Sequence, residues 1–146
     1  MKEFKIYLAG GMKSLSWDDQ CAWRELIEDL LHNNEDSFNF KYKLDIINPI
    51  KYYNFEEKRH NTELEVMKYD LRHVKTSDLI IVNFNDPTSI GTASELAIAY
   101  DKDIPIIGLI QSDVKKDIHP WLINFCDKIF TDTIKLTDYV MDFYLI

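Results

Sequence analysis

The chain has 146 residues, with 17 Lys and Arg against 25 Asp and Glu, a formal charge of −8. At about 150 residues per domain this predicts a single domain, residues 1–146, and 46% hydrophobic with 29% charged residues excludes a disordered chain. A pI near 4.9 excludes a DNA- or RNA-binding surface, where Lys and Arg must neutralise phosphates, though not one small anion in a local pocket.

Residues 4–9 are a short apolar run stopped by Gly10 and Gly11, which predicts a buried strand and then a loop. That run is too short for a secretory signal, and no stretch approaches the ~18 apolar residues of a membrane span, so a cytoplasmic protein is expected. Residues 18–32 carry Trp23, Leu26, Ile27, Leu30 and Leu31 at helical spacing behind an N-cap residue, Ser16. Residues 33–43 are polar and irregular, and 44–48 predict a second strand stopped by Pro49. Residues 51–61 are charged and aromatic without a period, a long surface excursion. A helix is predicted over 63–76 with Leu64, Met67, Leu71 and Val74 on one face. Residues 79–84, LIIVNF, are nearly continuously apolar, as a strand covered on both faces is. A turn follows over 85–90, then a helix over 91–101 and a buried strand over 104–110. A helical turn at 121–125, a short strand at 128–130 and a last helix over 136–144 complete the chain.

Alternating strands and helices with apolar strands predict an α/β fold: a flavodoxin-like five-stranded parallel sheet, order 2-1-3-4-5, with helices on both faces. Ligands bind such sheets at the carboxyl ends of the strands where the order reverses, here between the first and third. Topology therefore singles out the loops at residues 10–16 and 85–95.

The first loop reads GGMKSLS. Two glycines let backbone approach a ligand and free N–H groups cradle an anion, with Lys13, Ser14 and Ser16 as further donors; the alternative is a plain tight turn. No G-K-[ST] follows, which excludes a Walker loop, and no third glycine completes a dinucleotide fingerprint. In the second loop, NDPTSIGTASE, Pro87 and Gly91 fix a turn and the helix starts near Gly91 and Thr92. Glu95 is then expected in the first turn, where the helix dipole holds a carboxylate ionised. It is either a nucleophile or base aimed into the crevice or an acid that only favours the helix. Asp70 lies beside an apolar stripe, where an acid needs a partner or a chemical task, unless it sits at the edge of a solvated face. Tyr7, inside the first strand, has a core ring whose hydroxyl reaches toward the crevice. Asp78 reads as a cap or turn residue. Cys21 and Cys126 are far apart and expected as buried thiols in a reduced compartment. His32, His60, His73 and His119 show no zinc-ligand spacing, so no metal is expected, and no serine sits on a G-x-S-x-G elbow.

Three pieces together resemble the nucleoside 2-deoxyribosyltransferase family: IYLAGGM at residues 6–12, YDLRHVKTSDLIIVNF at 69–84 and SIGTASELAIAY at 89–100. They span most of the first 110 residues in the family's order, and S-x-G-x-x-x-E after a buried strand is the most specific. The wider superfamily includes deoxynucleoside 5′-monophosphate N-glycosidases. The resemblance implies that Glu95 attacks the anomeric carbon of the deoxyribose, and that Asp70 protonates the departing base and deprotonates the incoming one. It further implies that Tyr7 holds the nucleophile and that Gly10, Gly11 and Gly91 lie against the substrate. The implied reaction is transfer of the 2-deoxyribosyl group between nucleobases, with retention, through a covalent intermediate and without a cofactor; it follows the two-carboxylate logic of retaining glycosidases.

One departure opens a second expectation. Ser89 stands where nucleoside transferases carry an acid that contacts the sugar 5′-hydroxyl, whereas the monophosphate hydrolases use a serine there for the 5′-phosphate. Lys13 falls where those hydrolases carry a basic phosphate ligand. The alternative activity is therefore a 2′-deoxynucleoside 5′-monophosphate N-glycosidase, and a non-catalytic nucleotide-binding module is the third. The expected partners are small nucleosides, nucleobases or deoxynucleoside monophosphates, with no nucleic acid polymer and no membrane. The chain ends DFYLI, so it is expected to pack on its own sheet or on a partner chain. Resemblance to the family implies a homo-oligomer with a shared active site, to which Ile146 and His119 are candidate contributors.

Overall fold

The computed structural model describes residues 1–12, 15–37, 39–52, 62–111 and 117–146. Lys13, Ser14 and most of the aromatic excursion, residues 53–61, lie outside them. Five strands, β1 (Glu3–Gly10), β2 (Lys43–Ile47), β3 (Leu79–Asn83), β4 (Ile106–Leu109) and β5 (Lys128–Phe130), alternate with helices α1 (Trp17–His32), α2 (Glu63–Lys75), α3 (Ile90–Asp101), α4 (Pro120–Asn124) and α5 (Thr133–Val140). The strands are parallel and ordered β2-β1-β3-β4-β5, the predicted topology. Gly10 is in register with Asn83, so β1 and β3 end side by side at the reversal point.

Side chains alternate across the sheet. Ile6, Leu8, Leu79, Ile81, Ile107 and Leu109 pack against Trp23, Ile27 and Leu31 of α1 and Leu136 and Val140 of α5. Tyr7, Ala9, Ile80, Val82 and Ile106 point the other way, against Val74 of α2 and Leu96 and Ala99 of α3. The termini of the elements are set by short polar side chains. Ser16, Thr62, Ser89 and Asp132 accept from the backbone N–H three residues on and cap α1, α2, α3 and α5. Asp78 and Asp127, each just before a strand, accept from the N–H of Lys5 and Ile106 on the neighbouring strand, at 2.8 Å in both cases.

Three expectations are corrected. The apolar face foreseen on α2 is not its buried face: Leu64 is 55% and Met67 51% exposed, and the buried residues are Asp70 and Val74. At 3.6 residues per turn the line through 70 and 74 lies roughly a quarter-turn around from Leu64 and Leu71. On α1, Leu26 faces outward, and Arg24 and Glu28 are buried with Ile27 and Leu31. Glu28 accepts from Asn48 Nδ2 at 2.7 Å and pairs with Lys51 at 2.8 Å, which fixes the 3-10 helix Pro49–Tyr52 after β2. The last helix runs from Thr133 and gives way at Met141 to a π-helical turn, Met141–Leu145. Met141 and Leu145 are buried in the α1/α5 layer, and the Leu145 carbonyl accepts from Lys41 N at 2.7 Å. The apolar terminus therefore packs on its own core, with Phe143 left exposed. Among the described residues no helix is long and apolar enough to cross a membrane.

Candidate active site

Tyr7, Asp70 and Glu95 come from three different elements and meet on the α2/α3 face. Tyr7 sits within β1, two residues before its last apolar position, so its parity turns it into that layer, where it is fully buried. Asp70 is buried on α2 and Glu95 on α3. The Tyr7 hydroxyl, Asp70 and Arg24 are all close enough to act on the charge of the Glu95 carboxyl. Glu95 Oε2 is buried with no hydrogen-bond partner.

The helix dipole does not govern Glu95. Because α3 begins at Ile90, Glu95 lies in the second turn, beyond the reach of the N-terminal field. Burial pushes its carboxyl up to about 8; the Tyr7 hydroxyl and the Arg24 charge act to lower it, and the Asp70 charge raises it further. The expectation of a carboxylate held ionised by the helix end is thus replaced by a buried acid whose protonation responds to its neighbours. Two buried carboxyls that repel one another favour a state in which only one is ionised.

Sequence reasoning missed Arg24. It is fully buried, and its guanidinium donates to Leu8 O at 3.3 Å, Gly10 O at 3.2 Å and Gln20 O at 2.7 Å. It also lies 4.6 Å from the centroid of the Trp23 ring. Its charge reaches Tyr7, Glu95 and Asp70 across the sheet, and burial lowers its pKa to about 10, still cationic at neutral pH. The signal was present in the pattern: Arg24 and Glu28 occupy the same helical line as Ile27 and Leu31.

The glycine loop is shaped by protein contacts. A Cβ on Gly10 would stand 2.7 Å from Trp23 Cζ2, and one on Gly11 2.5 Å from Asp86 Cβ. The Gly11 N–H already donates to Asn85 Oδ1 at 3.1 Å, so it is not a free donor for an anion as foreseen. Gly91 is different: it is exposed, its φ lies outside the left-handed region, and a Cβ there meets nothing within 4 Å, so no backbone requirement of the turn explains it. Ser89 is half-buried at the N-cap of α3, its Oγ accepting from Thr92 N at 3.2 Å with Thr92 Oγ1 3.0 Å away. His119 is exposed and caps α4, Nδ1 accepting from Trp121 N at 3.1 Å. It is not joined to the Tyr7, Asp70 and Glu95 group by any contact among the described residues. Those residues hold no cluster of three or more His, Cys, Asp or Glu suited to a metal, and Cys21 and Cys126 are free thiols.

A family model described as nucleoside 2-deoxyribosyltransferase like matches residues 3–112. No curated protein matches the chain in sequence. Among solved structures, a 2-deoxyribosyltransferase from Bacillus psychrosaccharolyticus is 21% identical, with a TM-score of 0.71 over 92% of this chain and 91% of that one. A 2-deoxyribosyltransferase from Leishmania mexicana is 15% identical, TM-score 0.67, over 97% and 99%. A CMP N-glycosidase from Clostridium botulinum is 19% identical, TM-score 0.53, over 96% and 99%. At these identities the likeness is one of fold.

Proposed function

The chain belongs to the nucleoside 2-deoxyribosyltransferase-like family, and from that premise we propose that it transfers the 2-deoxyribosyl group of a 2′-deoxynucleoside from one nucleobase to another. The observation that carries this reading is the buried triad: Tyr7 beside Glu95, with Asp70 near enough for the two carboxyls to feel each other's charge. An N-glycosidic bond breaks through an oxocarbenium-like state, which needs an anion beneath C1′ and a proton for the departing base. In this reading ionised Glu95 bonds to C1′ as the C1′–N bond breaks, and protonated Asp70 gives its proton to the leaving nitrogen. An incoming base then attacks C1′ and displaces Glu95, while Asp70 takes back the proton from that base. Two displacements retain configuration, and the balance needs no cofactor. Tyr7 favours ionised Glu95 before attack, and the Arg24 charge favours it as well. Gly10, Gly11, Ser89 and Gly91 surround the approach of the sugar in this reading.

The site is proposed to be completed by a second copy of the chain. Met67 lies about one turn before Asp70 on α2 and is exposed, as is Leu64 nearer the helix start, and Phe143 and Ile146 are exposed at the C-terminus. Ile146 and His119 are the proposed contributions to a neighbour's site.

A second reading, hydrolysis of deoxynucleoside 5′-monophosphates, draws on Ser89. A neutral hydroxyl at the N-terminus of α3 suits a 5′-phosphate, with Lys13 its proposed cation. One incubation series separates the two. Thymidine or deoxyadenosine is offered with a second base, and dAMP, dCMP or dTMP is offered in water, with products resolved by chromatography. Base exchange on free nucleosides, with a deoxyribosyl adduct on Glu95 seen by intact mass, is the expected result. Free base and deoxyribose 5-phosphate released from monophosphates alone would replace the transferase with the hydrolase. No turnover in either arm, with nucleotide binding retained, would leave a binding module.

A further inference from the structure

The outward faces of α1 and α2 carry charges of opposite sign. On α1, Asp18, Ala22, Glu25, Leu26 and Asp29 are exposed along one face of the helix. On α2, Leu64, Lys68, Arg72 and Lys75 are exposed along one face, with Leu71 half-buried beside them. Glu65 borders that stripe at its N-terminal end. A groove of about 280 Å³ lies on the α2 stripe, lined by Lys68, Leu71, Arg72, Lys75 and Thr76. Among the described residues, none of Asp18, Glu25, Asp29, Lys68, Arg72 and Lys75 is in an ion pair.

Helix-end preference accounts for Asp18 in the first turn of α1 and for Arg72 and Lys75 in the last turn of α2. It does not account for Glu25 and Lys68, which stand in mid-helix, and Asp29 lies in the last turn of α1, where the dipole disfavours an acid. The two stripes match in spacing. Glu25 and Asp29 are four residues apart, and so are Lys68 and Arg72, a rise of about 6 Å in each helix. Leu26 adjoins the acids, and Leu64 and Leu71 adjoin the bases, so each charged stripe has an apolar border. α1 packs on one face of the sheet and α2 on the other, so no copy can join its own two stripes.

We propose that the acidic stripe of α1 docks on the basic stripe of α2 in a second copy of this chain. Glu25 and Asp29 of one copy meet Lys68 and Arg72 of the next, and Leu26 enters the groove beside Leu71. Each copy then offers a different surface to each neighbour. Such a heterologous contact builds a closed ring or an open chain of copies rather than a twofold dimer. Exposed ion pairs contribute little singly, so the association is weak and falls with salt. Tyr7, Asp70 and Glu95 are buried and lie on neither stripe, so association and turnover are separately testable.

The test is sedimentation velocity of the full chain at about 0.01 M and about 1 M salt, where charges are screened over roughly 30 Å and roughly 3 Å. The wild type is expected to associate with rising concentration at low salt, and roughly tenfold or more weakly at high salt. Glu25→Lys with Asp29→Lys, and separately Lys68→Glu with Arg72→Glu, should each lose that association alone. Mixed in equal amounts, the two variants should regain it, because each α1 of one then faces an α2 of opposite charge on the other. Thermal melts check that each variant is folded, and the salt dependence of the wild type decides without any variant. A wild type that stays monomeric at low salt, or associates equally at both salts, overturns the proposal. Loss of association in the α2 variant but not the α1 variant overturns it as well, and makes α2 its own partner across a twofold axis. A mixture of folded variants that stays dissociated also overturns it.

Discussion

The two faces of one sheet end use burial in opposite ways. On the α2/α3 face burial acts on charge: Glu95 is driven up to about 8, and Tyr7, Asp70 and Arg24 then tune it. On the α1 face it acts on neutral amides, leaving Asn83 and Asn85 each with one matched and one unmatched atom. Arg24 belongs to the second face by its helix and serves the first by its charge. The lesson is that the strand ends are a shared wall. A substitution on either side is read by both, and the measurements that separate protonation from packing show which side has been touched.

Glu95→Gln should have the largest effect. It removes the proposed nucleophile and should lower deoxyribosyl transfer by roughly 10⁴-fold or more. The same change should stabilise the fold. Between its ordinary 4.5 and about 8, Glu95 keeps a proton in the folded chain that the unfolded chain has released. Its contribution to stability is therefore intact below about 4.5 and is lost progressively as pH rises to about 8. Denaturant melts should show the variant more stable by about 3 kcal/mol at pH 7, with the gain vanishing in acid. Equal stability at all pH values would mean that Glu95 is solvated rather than buried.

Asp70→Asn removes the proposed general acid and should lower turnover by about 10²–10⁴-fold, the usual range for such a loss. The loss should shrink for a substrate whose base departs without protonation, compared in single-turnover rates. Tyr7→Phe removes a group that favours ionised Glu95, so the acidic limb of the kcat/KM profile should move upward from about 8. A limb that stays in place would separate Tyr7 from that titration. Arg24→Lys keeps a charge but loses the three-pronged donor to Leu8, Gly10 and Gln20. It should cost about 1–3 kcal/mol in thermal melts and move the same limb in the same direction.

The smallest effects come from the glycines. Gly10→Ala drives a methyl against Trp23 and should destabilise by about 1–3 kcal/mol. Gly91→Ala places it in open space at the start of a helix, and should be neutral or up to about 1 kcal/mol stabilising. A fall in transfer rate for Gly91→Ala, with stability kept, would isolate contact with substrate from any effect on folding.

The sheet order and the approximate places of α1 to α5 were legible because strands such as LIIVN are apolar throughout and apolar residues recur at helical spacing, with Ser16 marking the start of α1; the starts of α3 and α5 and the 3-10 helix Pro49–Tyr52 were not. Tyr7, Asp70 and Glu95 were legible as candidates because topology brings the ends of β1 and β3 together. What failed was the rotation of α2. Periodicity finds a stripe of Leu64, Met67 and Leu71 but does not say whether the sheet or a partner meets it. The state of Glu95 failed for a related reason: a start at Ile90, one or two residues earlier than expected, puts it in the second turn, where desolvation outweighs the dipole. Asn83 and Asn85 passed as the polar end of a strand and part of a turn, because an unmatched atom is visible only once its neighbours are in place.

The three hydrogen bonds from Arg24 have a consequence for how the protein comes apart. Two of them, to Leu8 O and Gly10 O, stitch the end of β1 to α1, so the wall behind Glu95 cannot loosen while that helix is docked. Local opening that disturbs the triad then requires the helix to leave the sheet, which is most of the way to global unfolding. On heating, loss of turnover should track loss of tertiary structure, and the amide protons of β1 should exchange with solvent at the slowest rates in the chain.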